Sequence, residues 1–182
     1  KFKFLSNYIN ELIDAFDFIV ISEEERGFNL IRTFDDNKIF LYCNLSFRDN
    51  NRAIYDHLIS NCSNDKYKIV VSTSDYKEYV ATAPNNVKFV GPIKAVLTYF
   101  SSKYVFYCIG KLPIVPAKDQ KVIHMEHGMP FKEASEGQQK YSTKSQHYTY
   151  VMATGRAFVD VQCRWYAVGK DKIVIAGNPK CD

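Results

Sequence analysis

From Asp36 to the end of the chain, short apolar runs alternate with segments of helical periodicity, and this alternation decides the architecture before any single residue does. The runs 38-KIFLYC-43, 67-YKIVVS-72, 87-VKFVG-91, 103-KYVFYCIG-110, 121-KVIHM-125, 148-YTYVMA-153 and 172-KIVIAG-177 have the length and the β-branched or aromatic content of strands. Between them 51-NRAIYDHLIS-60, 74-SDYKEYVAT-82, 92-PIKAVLTYFSS-102 and 154-TGRAFVDVQCRWYAV-168 read as helices, with Pro92 suited to a first helical position. Strands that are apolar on both sides need cover on both sides, and a parallel sheet obtains it from its crossover helices. The expected class is α/β. With about six or seven strands, an open, doubly wound, Rossmann-like sheet fits better than a barrel.

In such a sheet, ligands meet the carboxyl ends of the strands. Those ends are NLSFRDN after Cys43, STS before Asp75, CIGKLP after Tyr107, EHGMPFK after Met125 and ATGR after Met152. No GxGxxG follows the first strand and no GxxxxGK[ST] occurs, so neither a dinucleotide nor a P-loop cofactor is expected. The five cysteines are far apart without C-x-x-C spacing, which argues against a zinc ribbon or a disulfide scaffold and for a reducing compartment.

The first 35 residues read differently. Residues 2–16 place Phe4, Leu5, Tyr8, Ile9, Leu12, Ile13 and Phe16 on one helical face. The runs 17-DFIVIS-22 and 28-FNLIRTF-34 flank a charged turn, as in a small hairpin. Residues 1–35 are therefore expected to form an annex to a main domain at 36–182. The helix can pack on that domain, touch a membrane surface or receive a partner, although both signs of charge on its polar face weaken the membrane reading. The net charge of +4 comes from 24 basic and 20 acidic side chains with no run of five like charges, which describes a basic soluble surface and gives nucleic acid no support. No apolar run approaches the roughly 20 residues that span a bilayer, and no secretory signal is visible. The chain opens on Lys1 and stops at Asp182 just after a strand and a turn, so a piece of something larger is expected.

Among residues able to do chemistry, His127 and Gly128 come first. A histidine just past a strand end, followed by the residue that lets backbone approach a ligand, can present an imidazole at a crevice mouth. Near neutral pH it can take a proton from an alcohol attacking an electrophile. It can equally be a hydrogen-bonded loop histidine. Glu126 and Asp160 are acids able to orient it. His124 is expected to be buried, and the two histidines lack a clear third ligand, so no metal is expected. Lys132, after Pro130 and Phe131, can meet a phosphate or stay solvated. In the loop that holds Ser46, Arg48, Asp49 and Asn50, Asn50 is expected to cap the next helix, leaving Arg48 as an anion contact. Thr154, Gly155 and Arg156 open the last long helix, whose free N–H groups attract anions, though Thr154 can serve simply as its N-cap. Phe158, Val161 and Trp165 share one apolar face and are expected in the core.

Three stretches together resemble the CDP-glycerol:poly(glycerophosphate) glycerophosphotransferases, the enzymes of teichoic acid and capsule synthesis. They are 38-KIFLYCNLSFRDNNRAIYDHL-58, HGMPFK, similar to the family's H-G-T-P-L-K signature, and 172-KIVIAGNPKCD-182, similar to its G-x-P-R-x-D turn. The segment 87-VKFVGPIKAVLTYFSSKYVFYC-108 resembles the strand, helix and strand that precede the signature, so the resemblance covers roughly residues 36–182. It implies the N-terminal lobe of a two-lobed GT-B fold that offers the acceptor and a catalytic base. A C-terminal lobe, absent from this stretch, would hold CDP-glycerol or CDP-ribitol. On the resemblance His127 matches the catalytic histidine, Gly128 the glycine after it, and Pro130 and Lys132 the proline and lysine of the signature. Arg48, Asp49, Thr154 and Arg156 would line the substrate side.

The implied reaction transfers a polyol phosphate to a hydroxyl of a lipid-linked or glycan acceptor and releases CMP, without cofactor or metal, on the cytoplasmic face of the cell membrane. Met129 stands where the family has threonine, Phe131 where it has leucine and Lys180 where it has arginine. Rival expectations are a nucleotide-sugar glycosyltransferase lobe of the same architecture and a non-catalytic module that docks on a membrane or partner.

Overall fold

The computed structural model describes residues 34–43, 46–61, 66–109, 112, 114–128 and 147–181. The expected helix at 2–16 and the pair of short strands that follows it lie outside them. The strands are β1 (Asp35–Tyr42), β2 (Lys68–Ser72), β3 (Val87–Val90), β4 (Ser102–Tyr107), β5 (Lys121–His124), β6 (Tyr150–Ala153) and β7 (Ile173–Ile175). The α-helices are α1 (Asp49–Asn61), α2 (Pro92–Ser101) and α3 (Val159–Tyr166). All strand pairs are parallel, in the order β3-β2-β1-β4-β5-β6-β7. The described strands start at the centre with β1, wind outward to β3, then return beside β1 and wind the other way. In open α/β sheets ligands meet the strand ends at such a reversal, here between β1 and β4.

Period-two alternation sends neighbouring residues of each strand to opposite faces. Ile39 and Leu41 of β1 join Ile69, Val71, Val87 and Phe89 on one face, beneath Ile54, Tyr55, Leu58 and Ile59 of α1. Phe40 joins Val70, Val105, Tyr107 and Val122 on the other face, against Ala95 and Tyr99 of α2. The sheet is thus covered on both sides, as the doubly apolar runs require. Leu41, Val71, Val105 and Val122 are 0% exposed; burying each contributes about 1.5–3 kcal/mol.

Helix α2 starts as the sequence indicates, with Pro92 at its first turn after Gly91. Its far end is closed by Gln120, which is 0% exposed. Gln120 Nε2 donates to the carbonyls of Tyr99 at 2.7 Å and Ser102 at 2.9 Å, and its Oε1 accepts from the Ala117 N–H at 3.3 Å. Carbonyls at a helix end have no intrahelical donor, and a buried amide side chain supplies one.

Two helix expectations need correction. The segment 74–82 is a pair of 3-10 turns, Tyr76–Glu78 and Val80–Thr82. Tyr79 stacks on Phe89 with ring centroids 5.0 Å apart and meets Phe47 edge-on at 5.3 Å, and this aromatic docking holds the tighter winding. The segment 154–168 begins with a 3-10 turn at Arg156–Phe158 and ends where Ala167 turns left-handed at φ 50. Phe158, Val161 and Trp165 are only half-buried, and the fully buried residue of α3 is Gln162, because this helix packs at the margin of the sheet, on β6 and the edge strand β7.

Candidate functional site

Strand β5 delivers His124 to its carboxyl end, and Met125, Glu126 and His127 continue into the loop. Glu126 has φ 60, a left-handed backbone that a non-glycine residue adopts only when its surroundings fix it. Asn50, 1% exposed near the start of α1, supplies part of that fixing. Its Nδ2 donates to the carbonyls of Met125 at 3.2 Å and Glu126 at 2.7 Å, while its Oδ1 accepts the Lys180 N–H at 3.1 Å. The Lys180 ammonium then donates to the His127 carbonyl at 2.6 Å and to Asp49 Oδ1 at 2.7 Å. Three loops, following β1, β5 and β7, are tied together at one end of the sheet.

Asn50 is therefore not the helix cap expected of it. A cap would use Oδ1 on an N–H of its own helix, and here that oxygen is taken by Lys180. The neighbouring Asn51 also reaches outward, donating to the Tyr42 carbonyl at 2.8 Å. The first turn of α1 thus fastens the carboxyl end of β1 to the loop that carries His127.

The His127 side chain is exposed, and a Cβ placed at Gly128 would meet no described residue within 4 Å. Beneath it, His124 is buried among rings: Tyr107 at 4.6 Å, Tyr166 at 4.8 Å and Tyr148 at 6.2 Å. Desolvation, aided by the nearby His127, holds the His124 pKa down to about 3. The neutral ring accepts the Glu126 N–H at Nδ1, at 3.4 Å. The Glu126 carboxylate, 5% exposed, accepts from the Tyr166 hydroxyl and from the His127 N–H at 3.4 Å. Burial and then the Glu126 charge push the Tyr148 and Tyr166 hydroxyls above their ordinary range, so both remain donors.

Alongside, Phe47, Arg48, Asp49, Arg52, Ala53, Asp56 and Lys180 line a groove of about 540 Å³. Arg52 is occupied, bonded to Asp56 at 2.9 Å and lying over the Phe47 ring at 5.1 Å. The Arg48 side chain is exposed and has no hydrogen bond or ion pair among the described residues. Lys180 joins the groove to the His127 loop, and the lining carries three cations, Arg48, Arg52 and Lys180, against the carboxylates of Asp49 and Asp56.

The structure brings His127, Asp49 and Lys180 together and sets Arg48 beside them. Thr154 and Arg156 stand past the carboxyl end of β6. The Thr154 hydroxyl is buried without a hydrogen-bond partner among the described residues, and the residue before the turn is Gly155, so Thr154 is not the cap its position suggested. Asp160 cannot orient His127, because it forms an exposed pair with Lys170 at 2.8 Å. Glu126 does reach His127, though at the main-chain N–H. Pro130 and Lys132 lie outside the described residues. Among the described residues no group of three His, Cys, Asp or Glu could hold a metal ion.

A family model described as CDP-Glycerol:Poly(glycerophosphate) glycerophosphotransferase matches residues 26–182. No curated protein matches the chain. Among solved structures, the wall teichoic acid polymerase TagF is similar with a TM-score of 0.64 at 14% identity, over 80% of this chain and 39% of that one. A histidine-to-alanine variant of TagF gives 0.65 at 13%, over 81% and 40%. A histidine-to-asparagine variant soaked with CDPG gives 0.64 at 13%, over 81% and 40%. Identity this low carries the fold alone, here the Rossmann-like lobe of a GT-B architecture. The chain spans about 40% of the polymerase's length.

Proposed function

The chain belongs to the CDP-glycerol:poly(glycerophosphate) glycerophosphotransferase family, and from that premise we propose that it is the acceptor-side lobe of a polyol-phosphate transferase with His127 as general base. The donor would be CDP-glycerol or CDP-ribitol, held by a second lobe, and the acceptor a hydroxyl on a lipid-linked or glycan chain. The observation that carries this reading is an exposed histidine at the end of an interior strand, on a backbone held by Asn50 and Lys180, next to a groove whose charged residues include Arg48, unpaired among the described residues.

In this scheme the imidazole takes the proton from the acceptor hydroxyl as its oxygen attacks the polyol-bearing phosphorus. The bond from that phosphorus to the CMP oxygen breaks, and CMP leaves with the electron pair. A base within hydrogen-bond reach of the attacking oxygen is worth about 10²–10⁴ in rate. Arg48 and Lys180, at the mouth of the groove, would attract a phosphate-bearing acceptor and offset charge that builds on the transferred phosphoryl group. Gly128, by carrying no side chain, would let the acceptor approach. Pro130, Lys132, Thr154 and Arg156 complete the proposed substrate-side set. Among the described residues no helix is long and apolar enough to cross a membrane; the proposed location is peripheral, on the cytoplasmic face, where a lipid-linked acceptor presents its end.

In the complete protein, His127→Ala is expected to lower CMP release from the CDP-polyol by at least about 100-fold, with the donor KM little changed. Turnover near that of the unmodified enzyme would overturn the base assignment.

A further inference from the structure

Resting on the reading of His127 as base, we propose that Tyr166 is a positioning residue that acts on His127 through Glu126. The left-handed Glu126 residue sets the direction in which the chain carries His127 out of β5, so whatever fixes Glu126 aims the imidazole. Asn50 and Lys180 hold carbonyls of this loop, and His124 accepts the Glu126 N–H. The contact that pulls directly on residue 127 from inside is the Glu126 carboxylate folded back onto the His127 N–H.

A carboxylate buried to 5% exposure needs a donor of its own, and among the described side chains it has one, the Tyr166 hydroxyl at the end of α3. Tyr166 is itself held in place. Its ring lies against His124 and Tyr148, and its carbonyl accepts the Tyr148 hydroxyl at 2.6 Å. The hydroxyl therefore cannot follow the carboxylate if the loop moves, and it fixes one of its oxygens so that the other faces His127. Removal of the hydroxyl frees the carboxylate to turn toward water, and the loop loses the bond that aims it. Displacements of about 1 Å from a reactive geometry cost up to about 100-fold in rate.

Tyr166→Phe keeps the ring and its packing and removes only the donor. In the complete protein, CMP release should show kcat lowered about tenfold with the donor KM within about twofold. The same substitution should cost nothing further in a His127→Ala background, since it acts through that side chain. Glu126→Gln leaves one acceptor oxygen for two donors and should show the same kcat loss, with the Tyr166→Phe/Glu126→Gln double variant no worse than either single one. Hydrogen exchange adds a readout free of turnover. Exchange of the 125–128 segment should quicken about tenfold in Tyr166→Phe while β1 and β4 stay protected.

Equal loss in both His127 backgrounds, unchanged kcat in Tyr166→Phe, or unchanged exchange at 125–128 would each overturn the positioning role. Normal turnover in His127→Ala would overturn the base reading instead, and the exchange experiment would still report whether Tyr166 holds the loop.

Discussion

Beneath the exposed His127 a second imidazole is kept neutral. His124 has its pKa brought from 6.5 to about 3 by desolvation. An unfolded chain binds a proton there below pH 6.5 and the folded one does not, so the stabilisation is complete above that pH and is lost as pH falls toward 3. The slope is about 1.4 kcal/mol per pH unit, or about 2 kcal/mol by pH 5. Urea unfolding at pH 7 and pH 5 should therefore show a loss about 2 kcal/mol larger in the natural protein than in His124→Gln. The burial of His124 is legible in the sequence, because alternation along 121–124 puts Val122 and His124 on one side of β5. The role of Asn50 is not legible, since its partners lie 75, 76 and 130 residues away and nothing local distinguishes a cap from a tie. Lys180 could be noticed at a family turn, but its reach to the His127 carbonyl depends on where the sheet sets that turn.

Elements hold one another through polar side chains as well as apolar faces. Gln120 links the end of α2, the start of β4 and the turn before β5 through three hydrogen bonds in a fully buried setting. Gln120→Leu keeps the bulk but strands two carbonyls and an N–H, and should cost about 2–4 kcal/mol in urea unfolding. A cost below about 1 kcal/mol would mean that water replaces the lost partners. At this scale the strands were readable because an interior parallel strand is a bounded apolar run, and each of the seven falls within or close to its expected range. The 74–82 segment was not, since helical spacing alone does not separate an α-helix from successive 3-10 turns. The choice there rests on Tyr79 docking against Phe47 and Phe89, a contact with other elements.

Across the whole molecule, open α/β architecture was readable from the alternation of elements, and the family from ordered segments supported over residues 26–182. The convergence of loops from β1, β5 and β7 was not, because it needs the strand order as well as the strands. Lys180 lies at that convergence with its side chain 37% exposed, and its own N–H stays bonded to Asn50 whatever the side chain is. Lys180→Met should thus change stability by less than about 1 kcal/mol. It should raise the KM for a phosphate-bearing acceptor about five- to tenfold and flatten its dependence on salt. An unchanged acceptor KM and salt response would remove Lys180 from the substrate surface.

The strand order also bears on synthesis. β1 leaves the ribosome before every other described strand, yet it finishes between β2 and β4 at the middle of the sheet. β2 can cover one of its edges early, whereas the other waits until α1, β2, β3 and α2 have all been made. For that interval the nascent chain carries Ile39, Phe40 and Leu41 on a strand with one bare hydrogen-bonding edge, a surface open to wrong partners. The pace of translation through residues 43–107 therefore governs how long the growing protein is exposed with an open seam at its centre.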